Sequence, residues 1–163
     1  MINLLVVLQQ PLGKSSRIYS TYAYTVLPKF SKCSIVRTLG KVIKRFKVVI
    51  HCSWQGDTGT LDEDFTYSDG TTQKRIWTLT ETAPGVFTGT ADDVVGSATG
   101  LMAGNALNWK YVLALPVDGK VYNVNFDDWM YLMDDQVMLN RAVMSKFGFR
   151  LGEVTLSFHK RPQ

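Results

Sequence analysis

The sequence predicts an all-β fold, antiparallel and mostly up-and-down, closing into a barrel; three observations carry that prediction. First, at least eight short β-like segments follow one another from about residue 34 onward. They are too numerous and too closely spaced for α/β crossovers, whose helices need about a dozen residues each. Second, Leu107, Trp109, Tyr111, Leu113 and Leu115 alternate with Asn108, Lys110, Val112 and Ala114, the period of a half-buried strand. Third, turn residues punctuate the segments at Ser68-Asp69-Gly70, Ala83-Pro84-Gly85 and Pro116-Val117-Asp118-Gly119. So many strands must protect their edges, and closure is the direct way to do so.

Along the chain, residues 1–33 form an atypical amino-terminal segment, irregular or partly ordered. Pro11 and Gly13 break it early, and Pro28 interrupts the following apolar and aromatic patch. Residues 34–163 form one barrel domain. Its first clear strand covers Val42–Ile50. In Thr60–Tyr67, Leu61, Glu63, Phe65 and Tyr67 share one face, opposite Asp62, Asp64 and Thr66. Strands follow at Gln73–Thr80 and Val86–Ala91. Gly96, Gly100 and Gly104 exclude a stable helix and suit a curved strand that neighbouring groups approach closely. The Leu107–Leu115 strand joins Val121–Asp128 by one tight connection, a hairpin. Met133-Asp134-Asp135-Gln136 turns the chain into Val137–Lys146, and Phe147-Gly148 leads into Arg150–Lys160.

The chain of 163 residues is long enough for a single domain with a real core, and its 45% apolar and 12% aromatic content fits a folded protein. The net charge of +4 is unevenly spread: residues 1–52 hold nine Lys or Arg and no acid, while residues 53–163 hold nine basic and fourteen acidic side chains. A basic stretch can favour anionic lipid or nucleic acid, or simply form a solvated strand face beside an acidic remainder. No helix-turn-helix, zinc-finger spacing or RNA-binding sheet motif accompanies it, so no nucleic-acid partner is expected. Met1–Leu8 is too short to span a bilayer and lacks the features of a secretory signal.

The densest cluster of chemistry is Phe126-Asp127-Asp128-Trp129-Met130-Tyr131. Strand alternation sends Asp127 and Asp128 to opposite sides, which makes them poor partners in a carboxylate dyad. One acid is expected inside, near Arg75 or Arg141, or else as a strand-end salt bridge. Asp92-Asp93 is a second doublet under the same constraint. No calcium-loop spacing, histidine metal motif or nucleophile elbow occurs, and His51 beside Cys52 diverges on a strand. The expectation is therefore no catalytic residue, no metal site and no cofactor. A binding arrangement fits better, with Asn105, Asn108, Arg141 and Lys146 as a polar floor for a carboxylate or phosphate head group. Trp77, Trp109, Tyr111 and Trp129 would form the apolar wall, and Asp127 and Asp128 complete the candidate set. The alternative is an aromatic core with polar groups satisfied at its rims.

Several segments together resemble the DUF3833 family of bacterial proteins: Asp62-Glu63-Asp64-Phe65-Thr66-Tyr67-Ser68-Asp69-Gly70, Ala91-Asp92-Asp93-Val94-Val95-Gly96, Gly104-Asn105-Ala106-Leu107-Asn108-Trp109, Phe126-Asp127-Asp128-Trp129-Met130-Tyr131 and Asn140-Arg141-Ala142-Val143-Met144-Ser145-Lys146-Phe147-Gly148. The resemblance spans residues 34–160. It implies a calycin- or lipocalin-like barrel and a lipid-anchored place in the bacterial envelope, without implying an activity. The chain departs from the family at its start: neither Cys33 nor Cys52 resembles a lipid-attachment site, and the usual glycine- and tryptophan-containing entry is missing. An incomplete barrel at the first strand and a cytoplasmic location are both left open. The expected function is a noncatalytic, monomeric barrel that binds a lipid or other small apolar ligand, with peripheral membrane association as a further expectation. The competing reading is a structural or interaction domain of the cell envelope with a filled core.

Overall fold

The computed structural model describes the backbone of residues 20–25, 33–37 and 41–160, and the side chains of 41–160. The rest of the segment expected to be irregular lies outside the described residues. Eleven strands occur among the described residues: β1 (Ser20–Thr25), β2 (Cys33–Arg37), β3 (Val42–Gln55), β4 (Thr58–Tyr67), β5 (Thr72–Ala83), β6 (Val86–Thr90), β7 (Ala98–Ala103), β8 (Ala106–Val117), β9 (Lys120–Leu132), β10 (Val137–Lys146) and β11 (Phe149–Lys160). From β3 to β11 each strand pairs antiparallel with its sequence neighbour, the up-and-down order that the hairpin signals predict.

The connections explain the order. Asp118 and Gly119 both take positive φ, at 49° and 76°, as a two-residue mirror-image turn requires between β8 and β9. Phe147 and Gly148 do the same between β10 and β11. Asp69 caps the β4–β5 turn by accepting hydrogen bonds from the Thr71 amide and hydroxyl.

The sheet curls into an open, incomplete barrel, consistent with a calycin-like fold. Its seam lies between β3 and β11, and two short segments span it. β2 pairs with Val42–Phe46 of β3 and with Gly152–Thr155 of β11. β1 pairs with Val49–Trp54 of β3 and with His159 and Lys160 of β11. Residues 20–25, within the segment expected to be irregular or partly ordered, thus form a strand.

The glycine-rich stretch is shorter as a strand than its composition suggests. β7 begins only at Ala98, because residues 91–97 form a connection that crosses to β8: Val94 bridges Leu113, and the Ala114 amide donates to the Asp93 carbonyl. This connection is central to the site described below.

One end of the barrel is filled. Leu79, Phe87, Leu107, Trp109, Met130 and Met138 are all buried there. Trp109 fits because β6 and β7 present glycines beneath its ring. A Cβ at Gly89 would stand 2.7 Å from Trp109 Cζ2, and one at Gly100 would collide with the same indole. Absence of a side chain on two strands leaves the volume that one large side chain on a third strand fills.

Candidate functional site

The other end of the barrel holds a cavity of about 170 Å³. It opens between Tyr67, Gln73, Leu115 and Met144, at the end where the β4–β5, β8–β9 and β10–β11 turns lie. Strand alternation places its walls: Glu63 follows Leu61 and precedes Phe65 on the inner face of β4, and Arg75 precedes Trp77 on the inner face of β5. β8 contributes Trp109 and Tyr111, and β9 contributes Phe126 and Asp128. The aromatic groups interlock: Trp77 stands edge-on to both Trp109 and Tyr111, while Tyr111 stacks on Phe126 with ring centroids 5.0 Å apart.

Polar groups interrupt this apolar wall: Glu63, Arg75, Asp128 and the buried Asn140, with Gln73 near the mouth. Arg75 is clamped by Asp93, with Nε 2.9 Å from Oδ1 and a terminal nitrogen 2.7 Å from Oδ2, a bidentate pair. Its other terminal nitrogen lies 3.6 Å from Glu63 Oε2. Asp93 reaches Arg75 because the 91–97 connection is pinned to β8, so a loop side chain bridges from β8 across to β5 where β6 and β7 are short. Opposite, the Tyr111 hydroxyl donates to Asp128 Oδ2 at 3.1 Å. Asp128 Oδ1 is buried and accepts no hydrogen bond among the described residues.

Burial governs the electrostatics. It pushes the Glu63 carboxyl up to about 7, against the opposing pull of the Arg75 charge and a hydrogen bond from Trp77. Burial also pushes Asp128 up to about 7, and the Tyr111 hydrogen bond only partly offsets it. Tyr111 itself is driven well upward by burial and by the Asp128 charge beside it. Two carboxyls near neutrality in one apolar cavity can each hold or release a proton around pH 7.

The sequence-predicted candidates divide cleanly. Trp77, Trp109, Tyr111 and Asp128 line the cavity. The expected polar floor does not assemble there: strand parity turns Asn108 and Arg141 outward, while Asn105 and Lys146 stand at strand ends, beyond the lining. Asn108 lies in the phase opposite Trp109 and donates to Asp127 Oδ1 at 2.6 Å on the outer face, where Lys110 also approaches Asp127. Arg141 is exposed and pairs with Glu153 at 2.8 Å. Trp129 is 43% exposed and stacks on Tyr131 outside the sheet. Asn105 sits in the β7–β8 turn and donates to the Leu132 carbonyl at 2.9 Å, holding the end of β9. Lys146 stands at the rim with its ammonium 4.7 Å from the Tyr122 ring centre, outside the cavity lining. Sequence reading missed Glu63 and Asp93 as site residues, and it named Arg75 only as a partner for an aspartate. Glu63 carried a usable signal, an acid in phase with Leu61, Phe65 and Tyr67. Among the described residues, no group of three or more His, Cys, Asp or Glu side chains is placed to hold a metal ion.

Fold and cavity together define a class: a small antiparallel β-barrel filled at one end and hollow, with buried acids, at the other. The chain belongs to the DUF3833 family, described as proteins of unknown function, whose model matches residues 30–160. No curated protein matches the sequence. Among solved structures, the S-type phycobiliprotein lyase CpeS from Guillardia theta is similar in fold. Its TM-score is 0.61 at 7% sequence identity, covering 88% of this chain and 89% of that one. That degree of identity carries the fold alone.

Proposed function

We propose that this protein is a noncatalytic binding barrel whose hollow end takes a small, largely apolar ligand. The carrying observation is the cavity itself: an aromatic wall with a few convergent polar groups and one buried carboxylate oxygen without a partner. Its size narrows the ligand. A cavity of about 170 Å³ is comparable with the roughly 150 Å³ that accommodates a benzene-sized molecule. A single ring or a short acyl segment therefore fits inside, and a longer lipid would leave most of its chain beyond the mouth. Native mass spectrometry of untreated protein tests the reading. It should reveal a copurified small molecule, and small apolar compounds should raise the melting temperature. Empty protein together with no stabilisation across a diverse panel would sink it.

We also propose peripheral contact between the mouth and a lipid surface. Phe147 and Phe149 flank the β10–β11 turn at 85% and 76% exposure, and Val121 is exposed on the neighbouring β8–β9 hairpin. Phe147 occupies the left-handed region at φ 52°, an uncommon conformation for an aromatic residue. Lys146 beside it adds a cation suited to anionic headgroups. Cosedimentation with vesicles containing anionic phospholipid should fall in a Phe147→Ser, Phe149→Ser double variant. Equal recovery of both proteins would remove this element without touching the cavity reading.

A further inference from the structure

We propose that the ligand is a small amine, its ammonium head seated between Asp128 and Glu63 and its apolar body among Trp77, Tyr111 and Phe126. The inference rests on the binding reading above and names the chemistry of the head group.

Charge and hydrogen-bond supply at the hollow end favour a cationic head. Two carboxyls line that end, Glu63 and Asp128, and a single guanidinium among the described residues, Arg75, lines it with them, backed by Asp93 from the 91–97 connection. Arg75 is already committed, bidentate to Asp93 and turned toward Glu63. An anionic head entering the cavity would therefore meet two buried carboxyls and a cation whose donors are largely engaged. A cationic head meets the reverse. Asp128 Oδ1 offers a buried acceptor with no donor of its own, and Glu63 offers a second carboxyl only loosely approached by Arg75 at 3.6 Å.

The aromatic wall suits the apolar body: Tyr111 and Phe126 stack as a pair, and Trp77 stands edge-on against Tyr111. The buried carboxyls suit the cationic head. Each is held near neutrality chiefly by burial, so a desolvated ammonium beside them would favour their ionised forms. The lysines Lys44, paired with Asp69 at 3.0 Å over the Tyr67 ring, and Lys146, over Tyr122, stay at the rim and do not line the interior. A long anion could reach only that rim, leaving the acid-lined interior unused.

A matched set of probes tests the head group while holding the body constant: 2-phenylethylamine, 2-phenylethanol and 3-phenylpropanoate, each one ring on a short chain. At pH 7.5 the full-length chain should bind the amine most tightly, by isothermal titration and by melting-temperature shift, and the carboxylate least. Asp128→Asn should weaken the amine about tenfold or more, the scale of losing a charge-assisted hydrogen bond, while moving the alcohol by only about twofold. Glu63→Gln provides a second variant with the same expected direction if Asp128→Asn does not fold. Equal or tighter binding of the carboxylate would overturn the amine inference and leave the binding pocket standing. Amine affinity unchanged in a folded Asp128→Asn or Glu63→Gln chain would also overturn it. Failure of all three probes to bind would overturn both the inference and the pocket reading beneath it.

Discussion

The two ends of this barrel are built by the same strands in the same alternation, yet one is solid and the other hollow. At the solid end, Gly89 and Gly100 remove two side chains from β6 and β7, and Trp109 from β8 occupies the space. At the hollow end, the inward phase of β4, β5 and β9 carries Glu63, Arg75 and Asp128 where the solid end carries Leu61, Leu79 and Met130. Charged groups repel close packing by apolar neighbours, because each must keep a partner or solvent within reach. The difference teaches that a hollow here follows from a few polar substitutions in an apolar phase rather than from a change of strand geometry.

Breaking the solid end should have the largest effect. Trp109→Ala removes the side chain that two strands are shaped around and should cost about 4 kcal/mol in denaturant unfolding. Removing the clamp at the hollow end comes next: Arg75→Met leaves Glu63 and Asp93 without their cation and should cost about 3 kcal/mol at pH 7. Adding one methyl group to the solid end, in Gly100→Ala, should cost about 2 kcal/mol, since the new Cβ would collide with the Trp109 indole and stand 3.2 Å from Phe87 Cβ.

The comparison sharpens in a pH series. Glu63 and Asp128 both sit near 7 in the folded chain, above their ordinary values of 4.5 and 3.8. The folded state therefore binds protons more tightly than the unfolded one. This contribution is fully present below about pH 4 and is lost as pH rises through 7. Unfolding free energy contributed by these groups should decline between about pH 4 and 7, and Asp128→Asn should flatten the part of that decline between pH 5 and 7 by about 2 kcal/mol. The smallest effect belongs outside the barrel. Asp127→Asn, on the adjacent residue, should change stability by less than about 0.5 kcal/mol because its partners Asn108 and Lys110 lie on the solvated face.

Much of this division was legible in the sequence, and parity was the legible part. The alternation through β8 put Trp109 and Tyr111 on one face, and the split of Asp127 from Asp128 followed from strand period alone. The same parity sets Asn108 opposite Trp109, so the two could not both face one cavity. β10 was harder to read, because Leu139 and Val143 make its outer face as apolar as Met138 and Ala142 make its inner one. Arg141 could thus be assigned to either side, and only the Glu153 pairing across β11 fixes it outside. Glu63 was hidden within Asp62-Glu63-Asp64, which reads as a solvated acidic run although its middle member keeps the apolar phase. Asp93 had no periodic signal at all. Its contact with Arg75 spans 18 positions and depends on a connection folding back against β8, a tertiary event without a local pattern.

The most direct test of a barrel solid at one end and receptive at the other is a crystal soaked with a small halogenated aromatic such as iodobenzene. The account predicts anomalous density at the hollow end, against Trp77, Tyr111 and Phe126, and none around Trp109 where it rests on Gly89 and Gly100. Density absent from the hollow end, with Phe65, Tyr111 and Phe126 collapsed across it, would contradict the account.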